Sequence, residues 1–540
     1  DRLFVVDFVA ALMVGTAPPK IVRPPLRRLN TRIGRSAENY NAHLERNIQR
    51  HRLVEKVEAL ERSSEPEPIV KRKLDRIDDD GRQYMRRAEK KCRRLKSGRI
   101  PFSPEAAIWI KRCQCYRSLL RWHAGKIRNR GNLKRTARRC NIANPLSLTP
   151  QEIRARLEVC KERCDYFRKN GKHYRRQHLN RRLAAARDRQ DEEAEGRILA
   201  ILTREKDRSF WRRLNFALGK HVRGRSVREV QVETEDGGVL DVEGEAEVQQ
   251  SIWSEIHQKR FYLAEEAPIC QGALRGDFGY LAISPTAQSV LDGTYRFRPD
   301  TDAGTRELME ECARIRNVIP RRSVLTRITR DLWKQRWRKA REDTSSSESG
   351  LHFGHYIAGA SNDAISTYHA ARVSLALRRG LALSRWSRGL SVMLEKTFGV
   401  RLVSKLRAIL LMEADFNTVN KLVYGNGMLA NVRKYKLMPE EIFSERDRMA
   451  SDGSIAKVLF YDVVRQIRLP AGISSVDASN CYDRIAHAIA SLVFQACGVD
   501  EMAIKCMLEA IQNMKFFLRT AFGDSRNFAG ARLRVKTQGL

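Results

Sequence analysis

No stretch of this sequence is long and apolar enough to cross a bilayer. The most apolar run, VVDFVAALMVG at residues 5–15, contains Asp7, has no basic flank of the signal-peptide kind, and falls short of the roughly 20 residues a spanning helix needs. It reads as a buried strand with its turn. Paired CxxC or HxxxH knuckles are also missing. The closest thiol groups are Cys113-x-Cys115 with Cys140, and Cys160-x-x-x-Cys164, spacings too irregular for a zinc finger. The cysteines number eleven, an odd count without a secretory signal, so the reading is reduced thiols in the cytosol or nucleus. Acid is scarce: 64 Asp+Glu face 102 Lys+Arg, a formal net charge of +38. Self-repulsion of that size opposes any compact state unless a polyanion offsets it, which points to nucleic acid as partner and to an intracellular ribonucleoprotein, nuclear or cytoplasmic. No internal repeat is present. The chain begins at Asp1 and stops at Gln538-Gly539-Leu540 without a terminating pattern, and so reads as a piece of a longer protein.

What is present suits two or three domains, since 540 residues allow about 100 to 200 for each. Residues 16–36 (TAPPKIVRPPLRRLNTRIGRS) are rich in Pro and Arg, which favours an extended connector. From 37 to 225 the text is basic and helical. Tyr40, Leu44, Ile48, Leu53 and Val57 recur near a helical stripe, and Gly98 with Pro101 marks a helix stop. Residues 121–140 hold eight cations and no acid: Arg121, Lys126, Arg128, Arg130, Lys134, Arg135, Arg138 and Arg139. These are the candidate nucleic-acid contacts. Trp109, Tyr116, Trp122, Tyr166, Phe167 and Tyr174 lie among the charges and suit stacking on unpaired bases, although for Trp109 and Tyr116, on one helix face, a core role is preferred.

Residues 226–345 open a different module. An acidic stretch starts with a strand pattern at 227–233, turns at Asp236-Gly237-Gly238 and continues as a helix. DTSSSESG at 343–350 marks a loop. Beyond it, ISTYHAARVSLALRRG and SRWSRGLSVMLEKTFG read as amphipathic helices. KLRAILLMEADFNTVNKLV reads as a strand running into a helix, and VLFYDVVRQIRLPAGISSVDAS as helix, turn and strand. Ile485, Ile489, Leu492 and Val493 then follow helical spacing up to Gly498, a second helix starts near Asp500, and KFFLRTAFGDSRNFAGARLRVKT reads as a hairpin. The layout is α+β.

The chemistry concentrates in VDASNCYDRIAH, residues 476–487. An Asp at the end of an apolar strand suits a divalent metal, because magnesium takes hard carboxylate oxygens together with substrate phosphates. Asp477 alone suits a helix cap equally well. Tyr482 lies near enough to wall a nucleotide sugar pocket, and Asp483 is placed as the first acid of the following helix.

This stretch resembles the first catalytic motif of reverse transcriptases: Asp, four residues, an aromatic, Asp. LEKTFGVRLVSKLRAILLMEADFNTVNKLV is similar to the fingers segment of LINE-type, non-LTR retrotransposon polymerases. KTQGL resembles their Gln-Gly motif, FWRRLNFALGK with SIWSEIHQKRFY their connector, and DRLFVVDF the closing strand of apurinic-endonuclease-like domains. The resemblance implies a basic helical region followed at 346–540 by the fingers and partial palm of a right-hand polymerase, with residues 1–15 ending an endonuclease-like domain. It implies Asp477 as catalytic carboxylate and metal ligand, Mg2+ or Mn2+ as cofactor, and Tyr482 as steric gate for deoxynucleotides. Lys396, Lys405 and Arg407 are implied at the triphosphate, where a guanidinium grips phosphate best, and Gln538 and Gly539 in the nucleotide pocket. RNA template, DNA target or primer, and deoxynucleoside triphosphates are the implied partners. The Tyr/Phe-x-Asp-Asp hairpin that completes such a site is not in the sequence. Asp78-Asp79-Asp80 is no substitute, because nothing around it alternates like a strand. The expectation is therefore a fragment inactive alone, against the alternative of a non-catalytic basic nucleic-acid-binding protein on a palm scaffold.

Overall fold

A computed structural model describes residues 28–31, 34–92, 102–126, 129–217, 227–234, 236–258, 266–342, 348–397, 399–439, 442–443, 448–474, 476, 485–525 and 529–530. It is a mixed helical and β structure in two compact units, one formed by residues 1–94 with 224–540 and the other by 95–223. The apolar stretch 5–15, Arg128, Asp477, Tyr482, Gln538 and Gly539 lie outside the described residues.

In the first unit α1 (Gly34–Arg50), α2 (Leu53–Arg62) and α3 (Glu67–Lys91) carry the expected stripe: Tyr40, Leu44, Ile48, Leu53 and Val57 are all buried. The stripe is broken once, at Arg52, whose left-handed φ of 49° separates α1 from α2. Helix α3 ends at Lys91, with Cys92 as its extended cap, before the stop expected at Gly98. These helices share one core with later parts of the chain, so the basic region read as 37–225 divides near residue 94. A periodic stripe says that a face is buried but not against what.

The second unit is helical: α4 (Pro104–His123), α5 (Arg130–Arg138), α6 (Pro150–Asp188) and α7 (Glu192–Ala217). Back in the first unit, β1 (Glu229–Glu233) and β2 (Val239–Glu243) form an antiparallel hairpin, with Gly237 at φ 81° in its turn, before α8 (Glu245–Ile252). The strand, turn and helix were legible; β2, whose apolar residues are mostly exposed, was not. Helices α9 (Gly272–Phe278), α10 (Pro285–Leu291) and α11 (Ala303–Val318) form a smaller core, and α12 (Arg330–Arg338) buries Trp333 and Trp337 completely. Then come α13 (Phe353–Gly359) and α14 (Asp363–Arg379), the latter closed by Gly380 in the left-handed region, φ 66°. Helix α14 is buried around most of its circumference, so it is a central helix, not an amphipathic one. Tyr368 on α14 donates its hydroxyl to the Ile77 carbonyl at 3.1 Å. It reaches α3 only because that helix has Gly81 there; a Cβ would overlap the phenol.

The second segment read as an amphipathic helix, 384–399, is instead β3 (Arg388–Glu395), the centre of the larger sheet. It pairs antiparallel with β4 (Leu406–Leu411) and parallel with β5 (Lys515–Thr520). A short segment with apolar Leu390, Val392, Met393 and Leu394 suits either state, and two flanking strands that satisfy its backbone groups decide the outcome. Strand β4 runs into α15 (Ala414–Asn420) as expected, and the chain continues through a π-helical stretch, Lys421–Met428, to α16 (Leu429–Lys434) and α17 (Ala450–Ile467). After α18 (His487–Ala496), Gly498 at φ 88° and α19 (Glu501–Gln512), β5 is extended by the short strands β6 (Gly523–Asp524) and β7 (Ala529–Gly530).

Two expectations near Asp477 fail. The described residues of the lead-in, 469–474 and 476, form no strand, and Val476 is 89% exposed. A strand exists by pairing, and among the described residues none lies beside this segment. Helix α18 starts at His487 with Ala486 before it, four residues later than a helix opened by Asp483.

Candidate nucleic-acid interface

In the second unit, local signals set each helix. Ser103 caps α4 by accepting from the Ala106 N–H at 3.2 Å, Asn129 caps α5 by accepting from Asn132 at 3.0 Å, and Thr149 with Glu152 closes a capping box on α6. Helix α5 buries only Leu133 and Ala137, one helical turn apart. Its remaining faces are polar, and Arg130, Lys134, Arg135, Arg138 and Arg139 are exposed, as are Arg121 and Lys126 just before it. None of these seven has an ion pair among the described residues. The contrast with the later helices is clear: Lys161 pairs with Glu158, Arg175 with Glu205, Arg181 with Glu105, Arg187 with Glu195 and Arg197 with Glu193. Arg130 also lies 5.8 Å from the centre of the half-buried Trp122 ring. Tyr116 is buried and Trp109 packs against the same core, as preferred, while Arg112 stands 4.7 Å over Trp109. Phe167 is buried and Tyr166 exposed. All ten described cysteines are free thiols, eight of them buried.

In the first unit, the β3–β4 hairpin groups the cations assigned to triphosphate. Lys396 directly follows β3, Lys405 directly precedes β4, and Arg407 sits in β4 opposite Leu394. The Lys396 N–H donates to the Lys405 carbonyl at 3.4 Å, so both lie at the loop end of the hairpin. All three are exposed, with no ion pair among the described residues.

Sequence reasoning missed a buried charge cluster. Arg372 on α14 and Arg385, before β3, meet Asp78 of α3 and Glu413 and Asp415 at the start of α15. Arg385 donates to Asp78 Oδ2, Glu413 Oε2 and Asp415 Oδ1, each at 2.7 Å. Arg372 contacts Asp78 and reaches Asp415 Oδ2 at 2.7 Å, and Trp386 Nε1 donates to Asp415 at 3.1 Å. Burial alone would raise the Asp415 carboxyl, but the two guanidiniums hold it well below the carboxylate range. Asp78, first of the Asp run, is thus committed to the core. The available signal was an Arg and two acids in apolar surroundings, RWS and MEAD.

His369 on α14 is fully buried between Trp333 and Tyr356, and neither ring nitrogen has a hydrogen-bond partner among the described residues. Burial, with Arg372 close by, pushes its pKa well below the ordinary imidazole value. The unfolded chain takes up this proton near pH 6.5 and the folded one does not, so folding stability falls as pH drops below about 6.5, by up to ~1.4 kcal/mol per pH unit. His487, also shifted down by burial, adds in the same direction. Below about pH 4 the loss steepens, because the depressed carboxyls of Asp415 and Glu89 must be protonated. Urea titrations at pH 7.5, 6 and 5 should show the decline, and His369→Gln should flatten it between 6.5 and 5.

One group among the described residues has the make-up of a cation site: Glu89, His352 and His355, whose ligand atoms lie within 4.8 Å of one another. Its geometry is that of a clamp. The Gly354 N–H donates to His352 Nδ1 at 3.1 Å and the His352 N–H to His355 Nδ1 at 3.0 Å. Each Nδ1 thus accepts a backbone N–H, which leaves Nε2 as the nitrogen whose N–H faces Glu89, at 3.5 and 3.2 Å. Glu89 also accepts the Arg28 and Leu29 N–H groups at 2.9 and 3.4 Å. Burial opposes its charge, but these donors outweigh burial and hold its pKa far below normal. A metal at Nε2 would need the proton moved to an Nδ1 that already faces a backbone N–H. Excess zinc should leave the Tm unchanged, whereas Glu89→Gln should cost about 1 to 3 kcal/mol in chemical denaturation. Magnesium fits no better, since Glu89 is the one oxygen ligand of this group beside two imidazoles, and the carboxylates of the core cluster are taken up by arginine.

No protein-family model matches the chain, and no curated protein matches it.

Proposed function

We propose that this chain is part of an RNA-directed DNA polymerase of a non-LTR retrotransposon, with its basic helical unit holding nucleic acid. The observation that carries the reading is the β3–β4 hairpin, which brings Lys396, Lys405 and Arg407 together ahead of the β4–α15 element. Three exposed cations on one hairpin, with no ion pair among the described residues, suit a polyphosphate, and Arg407 adds a two-pronged donor. The exposed cations from Arg121 to Arg139 supply the non-specific grip that template or target requires. Asp477 would be one carboxylate of a two-metal site and Tyr482 its sugar gate, with Gln538 and Gly539 lining the base. Magnesium, where bound, supplies charge neutralisation for the triphosphate, and two such ions need more carboxylates than Asp477. Nucleotidyl transfer therefore belongs to a chain that also carries the Asp-Asp hairpin.

The second reading is a non-catalytic nucleic-acid-binding protein on a palm-like scaffold. It is favoured by the exposed, unpaired lead-in to Asp477, with Val476 in solvent. Primer extension separates the two. Joined to a C-terminal segment bearing the Asp-Asp hairpin, the chain is expected to extend a primer on RNA with Mg2+ or Mn2+, and Asp477→Ala to abolish extension. A joined chain that binds primer-template and never extends it establishes the scaffold reading.

A further inference from the structure

Helix α6 carries a second acid-free run. Residues 166–187 hold eight Lys/Arg and neither Asp nor Glu. Packing sorts these cations by face. Phe167, Gly171 and Leu179 are buried on one side of the helix, and on its flanks Arg175, Arg181 and Arg187 reach Glu205, Glu105 and Glu195. Lys169, Lys172 and Arg176 stand at i, i+3 and i+7, so they share one face over about 10 Å, and Tyr166 lies one turn before Lys169 on the same side. All four are exposed, and the three cations have no ion pair among the described residues.

The Tyr166 ring is held in place yet open to solvent. It packs edge-to-face against Phe167 and Tyr174, with ring centres 5.6 and 6.2 Å away, and the two tyrosine hydroxyls meet at 3.1 Å. It is nevertheless 46% exposed. Exposed cations spaced along a helix complement a phosphate backbone, because each contact releases counterions from the nucleic acid. A held aromatic ring adds stacking on an unpaired base, whatever the identity of that base. In a duplex the bases stack on one another and present no free face, so the ring distinguishes single strands from double.

We propose that this face of α6 is a track for single-stranded RNA, with Lys169, Lys172 and Arg176 along the phosphates and Tyr166 stacked on a base. The track rests on the reading of the basic unit as a holder of nucleic acid and specifies the kind of strand held. A duplex meets only the cations; a single strand meets the ring as well.

Fluorescence anisotropy of the full chain with a labelled RNA strand of about 20 nucleotides, and with its duplex, at several salt concentrations tests it. Lys169→Gln/Lys172→Gln/Arg176→Gln should flatten the slope of log K against log salt by about 2 and weaken single-strand binding about 30-fold near 0.15 M salt. Tyr166→Ala should weaken the single strand about tenfold and leave the duplex unchanged, while Tyr166→Phe, which keeps the ring, should bind as the wild type does. If the wild-type chain binds RNA and the triple variant matches it in affinity and slope, the track is overturned while the nucleic-acid reading of the unit stands. Equal losses for single strand and duplex in Tyr166→Ala overturn the stacking. A wild-type chain with no salt-dependent RNA binding removes that reading and the track together. All four side chains are exposed, so the variants should fold, which circular dichroism checks.

Discussion

Arg385→Met is expected to destabilise the first unit by about 3 to 5 kcal/mol, the largest effect of any single substitution considered for this chain. The reason is the imbalance that it leaves. The wild-type cluster sets Arg372 and Arg385 against Asp78, Glu413 and Asp415, all nearly inaccessible to water. Arg385 alone reaches all three carboxylates. Methionine keeps much of the volume but leaves those acids facing one guanidinium, and a buried carboxylate stripped of its partner must be protonated or drag the structure open. Loss on that scale is a large share of a typical domain's stability. Urea denaturation at pH 7 followed by circular dichroism measures it. Combining Arg385→Met with Asp415→Asn should recover part of the loss, because the second change removes one orphaned charge. A cost under about 1 kcal/mol for Arg385→Met would show that the cluster is solvated in practice.

Neutralising four cations of the second unit, Lys134→Gln/Arg135→Gln/Arg138→Gln/Arg139→Gln, is expected to weaken single-stranded RNA binding by about 100-fold near 0.15 M salt. Each phosphate contact with a single strand contributes a slope of about −0.7 to log K against log salt, so four contacts account for a change near 3. The slope is the more diagnostic quantity. If the seven exposed cations are only a solvated face, affinity and slope both stay put. Stability should move little, because none of the four has an ion pair to lose among the described residues and α5 keeps its buried Leu133 and Ala137. Fluorescence anisotropy at several salt concentrations gives both numbers.

The parts of the structure that were legible are those in which a short window carries the whole physical cause. The buried stripe from Tyr40 to Val57, the β4–α15 junction, the α18 periodicity ending at Gly498 and the cap at Asp500 all follow from residue spacing and a local cap. The segment 384–399 went the other way because its strand state depends on β4 and on β5, which lies over a hundred residues downstream. The lead-in to Asp477 failed for the converse reason: its residues suit a strand, but no partner lies beside them among the described residues. The buried charges were invisible because Asp78, Arg372, Arg385, Glu413 and Asp415 come from distant points of the chain. Each looks in isolation like an ordinary surface residue.

The amino-acid order by itself determined the net charge, the acid-free run from Arg121 to Arg139 and most helix positions, because those depend on composition, on i to i+4 neighbours and on caps. Tertiary structure alone decided that residues 34–92 join the later chain and that a helix-like segment becomes the central strand. It also decided that Arg388 and Lys515 stand side by side at the starts of two parallel strands. All three outcomes require groups far apart in sequence to satisfy one another's hydrogen bonds and charges, and no window of neighbouring residues contains that information.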